Sequence, residues 1–287
     1  MSGDFRKYGA ALEELYEKLN RREYVSPDPL QFLYDYPDLQ DREIVGIVAA
    51  MLAFGNVKSI IGSVADVLAR IGRPHEFLMN SNAGEIAASL DGFYHRWARA
   101  NDMAVLLRGV KGITQKYGSV NGCFVRGMES GGETVMDALD AFIGDLWKKG
   151  NPTGVSAVQS GKTGRTSNSL MPQGGASKRW HLFLRWMVRC DAVDPGGWTG
   201  ISPAKLVIPL DTHMLRIAKQ LGLTARSTAN RACALEVTYA FRSILPGDPV
   251  KYDFALTRLG IRDDCDMDAF FRNCGVDAAT SSAKRGG

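Results

Sequence analysis

The stretch Asp211–Gly222, DTHMLRIAKQLG, decides how the chain folds. Its apolar residues Ile217, Ala218 and Leu221 recur at three- and four-residue steps, the period of a helix and not of a strand. Asp211 stands just before the first helical residue, where a carboxylate accepts backbone N–H bonds. Gly222 stands just after the last, where glycine tolerates a left-handed conformation. The same period recurs outward from this segment. Leu182, Phe183, Trp186 and Met187 make an apolar face on a helix beginning near Ser177, and Val135, Leu139, Phe142 and Leu146 repeat the spacing. Val64, Val67, Leu68 and Ile71 mark a helix closed by Gly72 and Pro74. Asp41 is expected to cap a helix through Ile44, Val48, Met51 and Leu52, and Tyr8, Leu12, Leu15, Tyr16 and Leu19 share one face of a first helix. Downstream, Ser227 is expected to cap a helix that stops at Pro246-Gly247. Asp248-Pro249 should open another, ended by Gly260. No window offers the alternation and turn chemistry of a sheet, so an all-α fold without strands is expected.

A chain of 287 residues, 45% apolar and 23% charged, is globular and long enough for one large core or two lobes. The segment 150–175, rich in Gly, Ser, Thr, Asn and Pro, reads as a long mobile loop. Its GKTGRT run lacks both the glycine spacing and the preceding strand of a phosphate-binding P-loop. The charged N-terminus lacks a signal-peptide core, and the most apolar stretch, Ile44–Val57, is too short to span a bilayer, which points to a cytoplasmic, nucleoid-associated protein. Five widely spaced cysteines without a CxxC pair read as reduced thiols, and the four histidines show no metal-ligand spacing. No metal or cofactor is therefore expected. From Lys178 to Arg262 there are thirteen Lys or Arg against six Asp or Glu, although the whole chain carries only +4. Such asymmetry suits an anionic polymer, or else a set of solvated helix faces.

Pro209–Ile217, PLDTHMLRI, resembles the D-T-H-x-x-R signature of the helix-hairpin-helix DNA glycosylases. Gly174-Gly175-Ala176-Ser177-Lys178-Arg179 sits where their hairpin and its following helix begin. The closer resemblance is to an uncharacterised bacterial family related to these enzymes. Its members share versions of YPDLQDREIVGIVAAMLAFGNV (36–57), KRWHLFLRWMVR (178–189) and VIPLDTHMLRIAKQLGLT (207–224), and the likeness runs from about Asp28 to Arg262. Lys178 and Asp211 lie 33 residues apart, a gap similar to that of the archaeal 8-oxoguanine glycosylase branch. Met171-Pro172-Gln173-Gly174-Gly175 stands in place of the usual L-P-G-x-G hairpin, and the four-cysteine iron–sulfur loop of some relatives is absent from the C-terminal region. The resemblance implies a two-lobed fold with a cleft between lobes and no iron–sulfur cluster. Residues 1–61 and 205–287 would form a composite lobe, and 62–204 a middle lobe holding the loop and a hairpin-like region at 171–190.

It also implies base excision from double-stranded DNA by a monomeric enzyme, with Asp211 as the catalytic carboxylate and Lys178 as the nucleophile of a glycosylase that also cleaves the strand. Breaking the bond from a base to deoxyribose C1′ builds oxocarbenium character, which a carboxylate stabilises. Asp211 read locally is equally a plain helix cap. Lys178 must lose its proton to attack. A helix N-terminus, neighbouring Arg179 and partial burial all favour that, while a phosphate-contacting or surface lysine is the alternative. Gln173, Gly174, Gly175, Ser177, Arg179 and His213 are candidate DNA contacts, the glycines because backbone amides can approach a phosphate there. Asn56 and Phe54 are candidates for the pocket of an extruded base. Trp97, Trp180 and Trp186 are further possible lining residues, although aromatics at helical spacing usually belong to cores. A non-catalytic DNA-binding protein on the same scaffold, and a protein acting on RNA, stay open.

Overall fold

The computed structural model describes residues 4–129, 131–151, 170–171, 176–262 and 265–276. Gln173, Gly174 and Gly175, and all but the ends of the 150–175 loop, lie outside these residues. The described chain is predominantly helical. Helices α1 (Gly9–Leu19), α2 (Leu39–Met51), α3 (Val57–Ile71), α4 (Pro74–Asn80) and α5 (Ala83–Ser89) lead to a minimal hairpin, β1 (Tyr94–His95) and β2 (Ala98–Arg99). Then come α6 (Ala100–Tyr117), α7 (Val120–Met128), α8 (Met136–Gly150), α9 (Lys178–Val188), α10 (Thr212–Gln220), α11 (Arg231–Ile244), α12 (Asp253–Ile261) and α13 (Met267–Asn273). No described helix is long and apolar enough to cross a membrane.

The α2 helix is buried without interruption from Glu43 to Met51 and packs against α3, α4, α7, α9 and the 3-10 segment Pro29–Asp35. A helix apolar all round has nowhere else to go. Its one buried charge, Glu43, accepts bonds from Val120 N at 3.0 Å, Asn121 N at 2.7 Å and Trp198 Nε1 at 2.8 Å, so α2 caps the start of α7. Helix α6 packs on α5, α7 and α8. Its crossing with α8 is closed by two glycines: a Cβ on Gly109 would lie 2.4 Å from the Leu146 carbonyl oxygen, and one on Gly150 2.1 Å from that of Val105. Near the chain termini, α1 packs on α12 and α13, Phe5–Tyr8 on α11, and α10 on α12.

Several boundaries differ from the sequence reading. Asp38, not Asp41, caps α2, accepting from Gln40 N and Asp41 N, because the helix already starts at Leu39, more than a turn before Ile44. Asp41 instead accepts from His75 N at 2.8 Å and ties α2 to α4. Asn230, not Ser227, caps α11 through Cys233 N at 3.0 Å. Helix α12 begins at Asp253 rather than Pro249, and Gly260 lies inside it. Asp248 is occupied elsewhere, by Arg189. The unexpected hairpin pairs Tyr94 with Arg99 and His95 with Ala98 around Arg96-Trp97, with Arg96 at φ 55°. Two residues per strand are too few to show an alternating pattern.

Beneath α9 lies a buried ionic network. Arg185 donates to Asp194 at 3.1 Å and to Asp253, and Arg189 donates to Asp194 at 2.9 Å, Asp191 and Asp248. Tyr16 of α1 donates to Asp191 at 3.0 Å. Burial alone would raise the Asp191 carboxyl, but Arg189 and the amides of Asp194 and Val193 overcome it and hold the group at about 2. Its folded value is depressed, so its contribution to stability is complete at neutral pH and lost as pH falls from about 4 towards 2. Asp191→Asn is expected to flatten that acid limb in urea titrations run at stepped pH. Arg185→Met, which leaves Asp253 without its cation and takes one of two from Asp194, is expected to lose about 3–5 kcal/mol in the same assay.

Candidate active site

A cleft of about 620 Å³ opens where the N-terminal ends of α9 and α10 face the α2–α3 turn and the end of α12. Helix α10 begins at Asp211 because that residue is extended, at φ −117° and ψ −171°, and its Oδ1 accepts from Met214 N at 2.8 Å. The cap leaves Oδ2 free to turn across the cleft, where Lys178 Nζ meets it at 2.8 Å. One carboxylate thus closes a helix and binds the ammonium. The lysine side chain is 37% exposed and the aspartate 25%, so solvent reaches the pair. Burial raises the Asp211 carboxyl, but the Lys178 charge and hydrogen bond, the Met214 amide and the His213 charge together bring it below its ordinary value.

Ser177, immediately before Lys178, is left-handed at φ 45° and ψ 33°, and its carbonyl oxygen accepts from Trp180 N at 3.0 Å and His181 N at 3.1 Å. Among the described residues the other non-glycine at positive φ is Arg96. Such conformations cost on the order of 1–3 kcal/mol each and tend to gather at working sites. Both adjoin this cleft: Ser177 lines it, and Arg96 lies against the lining residue Gly55, whose missing Cβ would sit 2.8 Å from the arginine Cδ.

Beside the cleft stands a column of two rings between two cations, of which Arg179 and Phe54 line the cleft. The Arg179 guanidinium lies over Phe54 at 5.0 Å, Phe54 stacks on Trp97 at 4.7 Å and 22°, and Arg96 lies over Trp97 at 4.9 Å. Buried His95 holds the column: its Nε2 lies 2.9 Å from the Phe54 carbonyl oxygen, which can only accept, so Nε2 donates. Ser63 Oγ lies 2.9 Å from the other ring nitrogen and in the neutral tautomer donates to it. Trp97 is 57% exposed, whereas Trp180 and Trp186 are wholly buried and belong to the core. Val57 and Ile261, which line the cleft, are also exposed large apolar residues.

Lys178, Asp211, Ser177, Arg179, His213 and Phe54 therefore converge on one cleft. Arg179 is turned inward rather than to a surface: it donates to Met51 O at 2.5 Å, one of the carbonyls left over at the end of α2, and burial lowers its pKa to about 10. Asn56 does not line the cleft; its side chain caps α3 through Lys58 N at 2.9 Å. The sequence reading missed Asp28 and Arg258, which pair in the cleft wall, and His95. Asp28-Pro29 carried a signal, the cap-then-proline pattern it had placed at Asp248. The basic excess of 178–262 also looks different in three dimensions. Arg185 and Arg189 are neutralised inside, and Arg231, Arg242, Lys251 and Arg258 pair with acids from earlier in the chain. Among the described residues no group of three His, Cys, Asp or Glu could hold a metal ion.

Fold and site together define a helical protein with a lysine–aspartate pair set in an aromatic-walled cleft. Residues 28–262 match the family described as protein of unknown function (DUF2400), and the chain belongs to that family. No curated protein and no solved structure matches the chain.

Since Lys178 is the chief group opposing desolvation at Asp211, Lys178→Gln should raise the aspartate midpoint. Carboxylate carbon shifts followed by NMR over acidic pH should show this. An unmoved midpoint would mean that the pair is not formed in solution.

Proposed function

We propose that this chain is a helix-hairpin-helix DNA glycosylase that excises a damaged base from duplex DNA as a monomer and then acts as a lyase on the abasic sugar. The observation that carries the reading is the Lys178–Asp211 contact of 2.8 Å on the wall of a solvent-reachable cleft. These are the two residues that the resemblance to the glycosylases selects, and folding brings them together across 33 positions. The packing of α1 on α12 and of Phe5–Tyr8 on α11 suits a composite lobe made from both termini. The reading includes no iron–sulfur cluster and a place at the nucleoid.

In the proposed reaction an extruded nucleotide enters the cleft and sets its C1′ against Lys178. Nζ gives up a proton to the neighbouring Oδ2 of Asp211, and its lone pair attacks C1′. The C1′–N bond breaks, its electron pair leaves with the base, and the proton held on Asp211 passes to that base. Ionised Asp211 then faces the cationic adduct; the C1′–O4′ bond breaks with its electron pair left on O4′, one remaining Nζ proton passes to O4′, and the Schiff base forms as the ring opens. Trp97, presented beside the mouth on a rigid column, suits stacking against an exposed base.

A second reading has its own observation. Asp211 caps α10 and Lys178 completes its charge balance, which is a sufficient structural role in a DNA-binding protein that does no chemistry. Paired variants separate the two. Lys178→Gln should abolish covalent complexes trapped by borohydride on lesion-bearing duplexes while leaving binding nearly intact. Asp211→Asn keeps a capping oxygen, so stability should change by about 1 kcal/mol or less, while single-turnover excision falls by about a hundred- to a thousand-fold. Excision by Asp211→Asn at the wild-type rate would refute the assigned roles.

A further inference from the structure

A second groove, of about 420 Å³, lies away from the cleft between α5, α6 and the end of α8. Arg108, Lys111, Lys116 and Lys149 line it, with the polar residues Asn82 and Gln115 and with no acidic side chain among the described residues. The count of charges along the sequence pointed elsewhere, because this basic surface is assembled by folding inside a part of the chain whose balance is acidic.

The groove is built rather than incidental. Lys111 Nζ donates to the carbonyl oxygens of Met79 at 3.0 Å and Ser81 at 2.6 Å, and Arg108 Nε donates to that of Gly150 at 3.2 Å. Carbonyls fix the two cations in place but do not neutralise them. Lys149 lies beside the α6 row, its Cβ 2.8 Å from where a Gly112 side chain would start. Two carboxylates stand near the groove: Glu85, taken up by the Asn82 backbone amide at 2.7 Å in the cap of α5, and Asp145, 3.9 Å from Lys116 with both groups partly in solvent.

Arg108, Lys111 and Lys116 follow one face of α6 over eight residues, about 12 Å at 1.5 Å per residue. A single phosphate would need one or two of these cations. Successive phosphates of a DNA strand advance about 3.4 Å along the helix axis, so the row faces roughly three or four of them. We infer that this groove binds the phosphate backbone of a nucleic-acid strand, as a contact surface separate from the lysine–aspartate cleft.

The inference does not depend on any chemistry in the cleft and is tested by binding alone. Lys116→Gln/Lys149→Gln removes the two exposed cations and leaves Lys111 and Arg108 to hold their carbonyls. For a duplex of about 20 base pairs, log affinity plotted against log salt should become shallower by about 2. Lys7→Gln/Lys18→Gln, on the first helices, should leave the slope unchanged. Melting temperatures of both variants should match the wild type, which shows that folding is not at issue. Inorganic phosphate is the second probe, and it should not shift the melting temperature at millimolar levels. An unchanged salt slope in the first double variant would overturn the inference. So would a phosphate-induced stabilisation lost in that variant without any change in DNA slope, which would make the groove a small-anion site. Borohydride trapping at saturating DNA should survive in Lys116→Gln/Lys149→Gln, so failure here is distinct from failure of the assignment to Lys178 and Asp211.

Discussion

The arrangement depends on the placing of two guanidinium groups, Arg185 and Arg189, one turn apart on the buried side of α9. Taking such charges out of water is unfavourable by several kcal/mol each unless carboxylates meet them with good geometry. Asp191 and Asp194 from the next loop, Asp248 from the turn before α12 and Asp253 at its first residue supply that geometry. The requirement is mutual for Asp194 and Asp253, which are as deeply buried as the arginines they meet. It fixes α9 against α12, and through Tyr16 it reaches α1. Apolar packing would tolerate small slides between these helices. A set of ionic contacts shared among buried groups does not, because displacement strands a charge.

That rigidity is transmitted to the cleft. Lys178 leaves the N-terminal end of the same helix that carries Arg185, and Asp253, bound to Arg185, also feels the charges of Asp211 and Lys178. The helix ends that face the cleft are thus anchored from below. On the other wall, Arg179 reaches back to the last residue of α2, the most deeply buried helix, and presses on Phe54. The two sides of the cleft are therefore referenced to the two most constrained parts of the core.

Helical class was legible in the sequence because apolar spacing is a local property, and α1, α3, α8, α9 and α10 stand where their periodicity puts them. Starts were less legible. Asp38, Asp41, Ser227, Asn230, Asp248 and Asp253 are all chemically able to cap, and which one does so depends on competing partners distant in sequence. Asp248 and Asp253 went to arginines of α9, which no local rule foresees. Lys178 and Asp211 could be named because the residues around them resemble a known signature; their contact is a product of folding. Asn56 had the right chemistry for a pocket but was used one residue later, at the start of α3. Charge misled for the same reason: a cation counted along the chain says nothing of the acid that folding sets beside it.

The left-handed Ser177 bears on how this chain can change. Glycine would occupy that conformation more easily, so on stability alone the position invites replacement. A Cβ there narrows the angles the backbone can sample just ahead of Lys178, and so limits the arc through which the ammonium can swing. Selection for robustness and selection for aim pull in opposite directions at one serine. Lineages drifting towards glycine at 177 would be expected to hold their fold more firmly and their lysine more loosely.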